Sequence, residues 1–322
     1  MRVFLTIIIV FITFLSCENK DIKTPDISKT KINFSSNRFD VDFYNASSKT
    51  LPDLKEQYPF LFPKKISDSI WISKINNIDE QELFSETQKI YKDFSSIEKE
   101  LTSLFKHIKY YNPRFKSPDI ITMLTNIDYE NRITYVDSLL LISLDAYLGE
   151  NHEFYADYPK YIKENNTKKH IIVDVANAII SKQIPQTIDR TFLAKILHEG
   201  KKLYLLDIYL PRTFDEEKLG YSKQKLDWAI YNEEKIWMYF IQNKLLYSTD
   251  SNLSRRFLYN APFSKFYLEQ DKLSPGKIGS WIGWKIVASY MKYNDVSLQH
   301  LKKIGPEDLL NKSKYKPKNN GN

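Results

Sequence analysis

The chain has 322 residues, 42% hydrophobic and 27% charged, with a formal net charge of +7, eight glycines and one cysteine. That length and apolar content suffice for one large domain or two small ones, each with a core. The glycines, at 149, 200, 220, 276, 279, 283, 305 and 321, spell neither G-x-G-x-x-G nor G-x-x-x-x-G-K-[ST], which excludes a glycine-rich phosphate loop; the lone cysteine excludes an internal disulfide framework and a Cys-rich zinc cluster.

Met1-Arg2, the apolar or threonine run Val3 to Leu15 and the small Ser16 describe a secretory signal over residues 1–17. Its apolar run reaches about 20 Å as a helix, short of the roughly 30 Å hydrocarbon core, so it reads as a signal rather than a membrane span. Phe14-Leu15-Ser16-Cys17 resembles a bacterial lipobox, although Phe14 and Leu15 stand where such a box usually has leucine and a small residue. Cys17 is therefore the expected lipid attachment site, a palmitate-bearing mature N-terminus, and several acyl chains on one cysteine hold a membrane stably. Loss of residues 1–17 removes a single charge, Arg2.

Residues 18–36 are polar and rich in Lys, Ser and Thr, the composition of a flexible tether. Asn37 to Tyr44 (NRFDVDFY) alternates Phe39, Val41 and Phe43 with polar or charged residues, which predicts a strand. With no internal repeat and no second linker, residues 37–317 form one expected globular domain, leaving 318–322 as a tail.

Helical spacing is predicted over 49–57, 79–93 and 95–111; in the last, Ile97, Leu101, Leu104, Phe105 and Ile108 share a face and Asn112-Pro113 stops the helix. Strands are predicted over 119–125, 133–135 and 138–144, and Leu139 to Ile142 is apolar enough to be covered on both faces. Helices follow over 170–182, 191–206, 222–246, 275–293, 297–303 and 306–312, with Ser274 as N-cap and Pro275 as first residue of its helix. The fold class is α+β, helix-dominated, with a small central sheet in a single domain.

One motif could carry chemistry. His198-Glu199-Gly200-Lys201-Lys202 begins like the zinc-protease helix H-E-x-x-H, in which two imidazoles four residues apart grip one zinc and the glutamate acts as general base. Lys202 stands where the second imidazole belongs, and a protonated ammonium has no lone pair to give. Thr191, Lys195, His198 and Lys202 share one stripe, and Glu199 is spaced to pair with Lys195 or Lys202 as on any solvated helix. Catalysis is expected from no residue, His198 and Glu199 being degenerate candidates only, and neither a metal nor another cofactor is expected.

His107, His152, His170 and His300 are scattered, and no G-x-S-x-G occurs. Glu233-Glu234 could supply a downstream ligand but precede Trp237 and Phe240 on an amphipathic helix and read as solvated. Gly279 and Gly283, four apart in a helix that also carries Lys277 and Lys285, read as a close helix contact. Trp228, Trp237, Trp281 and Trp284 read as core, with an exposed aromatic patch for a partner protein or glycan as the alternative. Charge is spread along the chain, and export makes a nucleic-acid partner implausible.

The blocks NRFDVDFY (37–44), LDAYLGENHEFYADYPKYI (144–162), TFLAKILHEGKKLYLLDIYLP (191–211), GYSKQKLDWAIYNEEKIW (220–237) and APFSKFYLEQDKLSPGKIGSWIGWKIVASYM (261–291) together resemble the gliding-motility lipoprotein family GldB of Bacteroidetes. The resemblance implies a lipid-anchored cell-envelope protein needed for gliding, beside the gliding and type IX secretion machinery, with envelope proteins as partners and the inner or outer membrane reached through its anchor. Acidic Glu18 and Asp21 close to Cys17 hint at outward transport. The order of helix, small sheet, H-E helix and later helices is also similar to a predicted zinc-protease family, implying a zincin-like arrangement whose second histidine has become Lys202. A non-catalytic component or scaffold is the leading expectation. The alternatives are a zinc-dependent metallohydrolase acting on envelope peptides, or a glycan-binding module.

Overall fold

The strand expected over 37–44 is two residues of strand followed by a helix. In the computed structural model, which describes residues 24–136 and 138–317, β1 (Ser36–Asn37) gives way at Arg38 to α1 (Phe39–Tyr44). The six residues satisfy both periods, and tertiary contacts decide. Phe39 and Phe43, four apart, are buried together, whereas Val41 is only half-buried. Asp40, which a strand would turn to solvent, is wholly buried and accepts from Nε and Nη2 of Arg38 at 2.9 and 2.7 Å. Gln88 and the hydroxyl of Thr122 also donate to it. Cys17, the signal and the tail lie outside the described residues.

The tether expected over 18–36 docks before its end. Phe34 meets Phe105 edge-on at 5.2 Å, Ile32 packs on the core, and the Ser35 amide and hydroxyl both donate to Asp119. The chain then builds a helical layer from α2 (Leu51–Gln57), α3 (Asp68–Ile75), α4 (Ile78–Tyr91) and α5 (Ser95–Tyr111). The five apolar residues predicted to share a face of α5 are each at most 1% exposed.

Strands β2 (Asp119–Met123), β3 (Ile133–Val136) and β4 (Leu139–Ser143) complete a sheet of order β1-β2-β4-β3. β1 and β4 run parallel to β2, while β3 pairs antiparallel to β4. In central β4, Leu140 and Ile142 are fully buried, and Leu139 and Leu141 pack on the core from the other face.

The loop after β2 places Asn126 and Ile127 at φ of +55° and +61°, a costly conformation for a β-branched residue. Asp145 holds it there, accepting from the Thr125 and Ile127 amides, while the Tyr158 hydroxyl donates to the Ile127 carbonyl.

Everything beyond the sheet is helical: α6 (Lys160–Lys163), α7 (His170–Gln183), α8 (Phe192–Tyr209), α9 (Asp215–Leu219), α10 (Lys223–Tyr231), α11 (Glu233–Gln242), α12 (Asn252–Phe257), α13 (Ile278–Tyr293), α14 (Leu298–Lys303) and α15 (Pro306–Ser313). Two sequence expectations are corrected here. The single helix expected over 222–246 breaks at Asn232, whose side-chain amide donates to the Trp228 carbonyl. It also stops at Gln242, because Leu246 and Ser248 turn back to accept from the Leu193 and Phe192 amides, groups that α8 cannot satisfy internally. Likewise Ser274 is not an N-cap. Its hydroxyl joins the 264 and 271 turns instead, and α13 begins at Ile278 behind Lys277, which sits at φ +56°.

The core is centred on the crossing of α8 and α13. Trp281 is wholly buried, Trp284 and Trp237 nearly so, and Trp228 half-buried, so most of the tryptophan content fills the interior. Among the described residues no helix is long and apolar enough to cross a membrane.

Candidate functional site

The H-E motif occupies the middle of α8, and the helix divides its functions by face. Thr191 starts it, its hydroxyl accepting from the Ala194 amide. Leu193, Ile196, Gly200 and Leu203 are buried, and Gly200 lies against Gly283 of α13. A Cβ on Gly200 would come within 2.2 Å of the Gly283 carbonyl carbon. The central glycine of H-E-G-K-K therefore sets a helix spacing.

Glu199 points along another stripe and accepts from the Lys202 ammonium at 2.8 Å. This is the ion pair its spacing predicts, and it holds the would-be general base against the cation in the would-be ligand position. Among the described residues no three His, Cys, Asp or Glu side chains gather as a metal would require. His198 turns to a different cavity, with burial and the neighbouring Lys202 holding its imidazole below the usual range.

The structure assembles a second polar cluster from residues that the sequence did not single out. Arg132, just ahead of β3, meets Asp174 of α7 at 2.8 Å, donates to the Asn166 side chain at 3.0 Å and lies over the Tyr147 ring at 5.1 Å. The Tyr147 hydroxyl donates to Asp174 at 2.9 Å. Arg132 and Asp174 are 17% and 20% exposed because they line a cavity of about 620 Å³ with Tyr161 and Tyr259. Lys277 stands within the field of both Asp174 and Glu199, and burial lowers its ammonium against their attraction.

Charges thus alternate from Arg132 through Asp174, Lys277 and Glu199 to Lys202. Arg132–Asp174 and Glu199–Lys202 are ion pairs, and Lys277 lies in the field of both carboxylates, which offsets part of the cost of taking these charges from water. The sequence did carry one signal: Asp174 interrupts the apolar run HIIVDVANAII. His170, on the same helix, is buried with its Nδ1 at 2.9 Å from the Thr167 hydroxyl, and burial drives its pKa down to about 3.

A neutral, buried His170 has a measurable consequence. The unfolded chain binds a proton near pH 6.5 and the folded one does not, so stability falls as the solution is acidified through that range. Between pH 6.5 and 5 a loss of roughly 1.6 kcal/mol is expected, the slope rising towards 1.36 kcal/mol per unit as the unfolded histidine becomes fully protonated, with His198 adding in the same direction. Urea unfolding of His170→Gln should show a shallower decline. An unchanged slope would mean that His170 ionises freely in the fold.

The fold defines a class: a helix-dominated α+β protein with a small four-stranded sheet, in which α8 carries His198 and Glu199 and has Lys202 four residues after the histidine. The model of the family described as gliding motility protein GldB matches residues 20–317, and the chain belongs to that family. A role in gliding motility follows, and the lipoprotein label of the family model fits an envelope location. No curated protein and no solved structure matches the chain.

Proposed function

We propose that the chain is a non-catalytic component of the gliding apparatus, held at the membrane through acylated Cys17 and working by contact with envelope proteins of the gliding and type IX secretion machinery. The observation that carries the reading is the Glu199–Lys202 ion pair. A glutamate bonded to an ammonium is a poor general base. The same ammonium repels a metal from the position where H-E-x-x-H helices hold one. Gly200, required by the α8–α13 contact, gives the motif's central residue a packing reason.

Cells expressing Cys17→Ser should lose both labelling by an alkyne fatty acid and gliding. His198→Ala and Glu199→Gln, present at wild-type level, should keep full gliding. Lost gliding in Glu199→Gln at normal abundance, or one equivalent of tightly held zinc in the purified protein, would overturn the non-catalytic assignment.

A further inference from the structure

His198 is left without a role by this reading, and so is its helix neighbour Lys201. Both open on a cavity of about 320 Å³ between α8, the turn after α7 and the α14–α15 corner. Its apolar wall includes Ile184, Pro185 and Leu197, and its polar wall carries four basic side chains: His198, Lys201, Lys302 and Lys303. No Asp or Glu is among the described residues that line it.

The hydrogen-bond partners of Lys201 and Lys302 are neutral. The Lys201 ammonium donates to the Ile304 carbonyl at 2.9 Å, and the Lys302 ammonium to the Gln183 side-chain oxygen at 3.0 Å. Among the described residues neither forms an ion pair with a carboxylate. The two contacts fix where the ammonium groups stand without neutralising them. Burial accordingly lowers Lys201 to about 8 and pulls Lys302 down as well. Cations gathered in a concave, partly desolvated site favour a group of opposite charge, and the apolar wall suits an organic part beside it.

We propose that this cavity binds a phosphate or carboxylate group, held by Lys201, Lys302 and His198, with Lys303 at the exposed rim. The group could belong to a small soluble ligand or to an anionic lipid headgroup, both of which present the same charge to the same side chains.

The test follows the His198 ring resonances of the full chain in zwitterionic detergent by NMR. Inorganic phosphate is the first probe, and phosphatidylglycerol, against phosphatidylcholine, added to the detergent micelles is the second. A saturable shift with either probe, beyond that from sodium chloride at equal ionic strength, supports the proposal and identifies the source. Losing one charged donor should weaken binding roughly tenfold in Lys201→Met and Lys302→Gln. Lys195→Met, on the same helix but outside the cavity, should bind as wild type. If Lys201→Met does not fold, exposed Lys303→Gln replaces it with a smaller expected loss of about threefold. No shift beyond the salt control with either probe, or equal weakening by Lys195→Met, would overturn the site.

Discussion

Gly283→Ala is expected to lower the stability of the fold by about 3 kcal/mol, at the upper end of what one added methyl group costs in a packed interior. The Cβ would stand 1.8 Å from the Ile196 carbonyl oxygen and 2.6 Å from its carbon. Both are backbone atoms in the middle of α8, so no side-chain rotation relieves the clash. The helices must part, and the wholly buried Trp281 and Ile282 part with them. The better helix propensity of alanine returns at most about 1 kcal/mol. At roughly 2 °C per kcal/mol for a chain of this size, the melting temperature should fall by about 6 °C. Gly200→Ala acts on the same contact from the opposite helix, so the double variant should cost less than the sum of the two. Gly305→Ala, where an added methyl meets nothing within 4 Å and only the N-cap of α15 is weakened, should cost no more than about 1 kcal/mol. A wild-type melting curve for Gly283→Ala would mean that α8 and α13 do not touch there.

That contact also marks how far the sequence could be read. Gly279 and Gly283 predict a close helix approach because glycines four apart share a face; Gly283 meets Ile196 and Gly200, the latter inside the H-E motif itself, while Gly279 lies against Leu258, Phe257 and Ile196. The long amphipathic α5 was legible because five apolar positions on 3.6 spacing allow one solution. NRFDVDFY was not, because over so few residues periods of 2 and 3.6 coincide, and the buried Arg38–Asp40 pair decides between them. The stop after Gln242 and the late start of α13 after Ser274 answer to hydrogen bonds from outside those helices that no local pattern records.

At the site the same division holds. Glu199 and Lys202 pair at three-residue spacing and could be foreseen. Arg132 and Asp174 are joined only because β3 packs beside α7, and the basic cavity only because α14 returns to α8 after a hundred intervening residues. Sequence spacing reports neighbours along an element. It says nothing of which elements meet.

Removing Asp174 should be among the most damaging single changes away from the glycine contact. Asp174→Leu puts a larger apolar group in place of the carboxylate, leaves the Arg132 guanidinium without its anion, removes one of the two attractions on the Lys277 ammonium, and takes from the hydroxyl of fully buried Tyr147 its acceptor. Breaking one side of a buried pair costs 3–5 kcal/mol in general, and about 3 kcal/mol is expected here because both side chains keep some contact with solvent. Lys202→Met, which breaks the more exposed Glu199 pair, should cost less than about 1 kcal/mol. The decisive comparison is the pair variant Arg132→Met with Asp174→Leu, since removing both charges removes most of the penalty that either leaves behind. Recovery of more than half the lost stability in urea unfolding would assign the cluster to the fold. Gliding would then be expected to follow stability across the three variants. If Asp174→Leu instead folds as well as wild type and still abolishes gliding, the alternating charges serve a task other than holding the helices. The cavity beside Arg132 would then become the place to look for it.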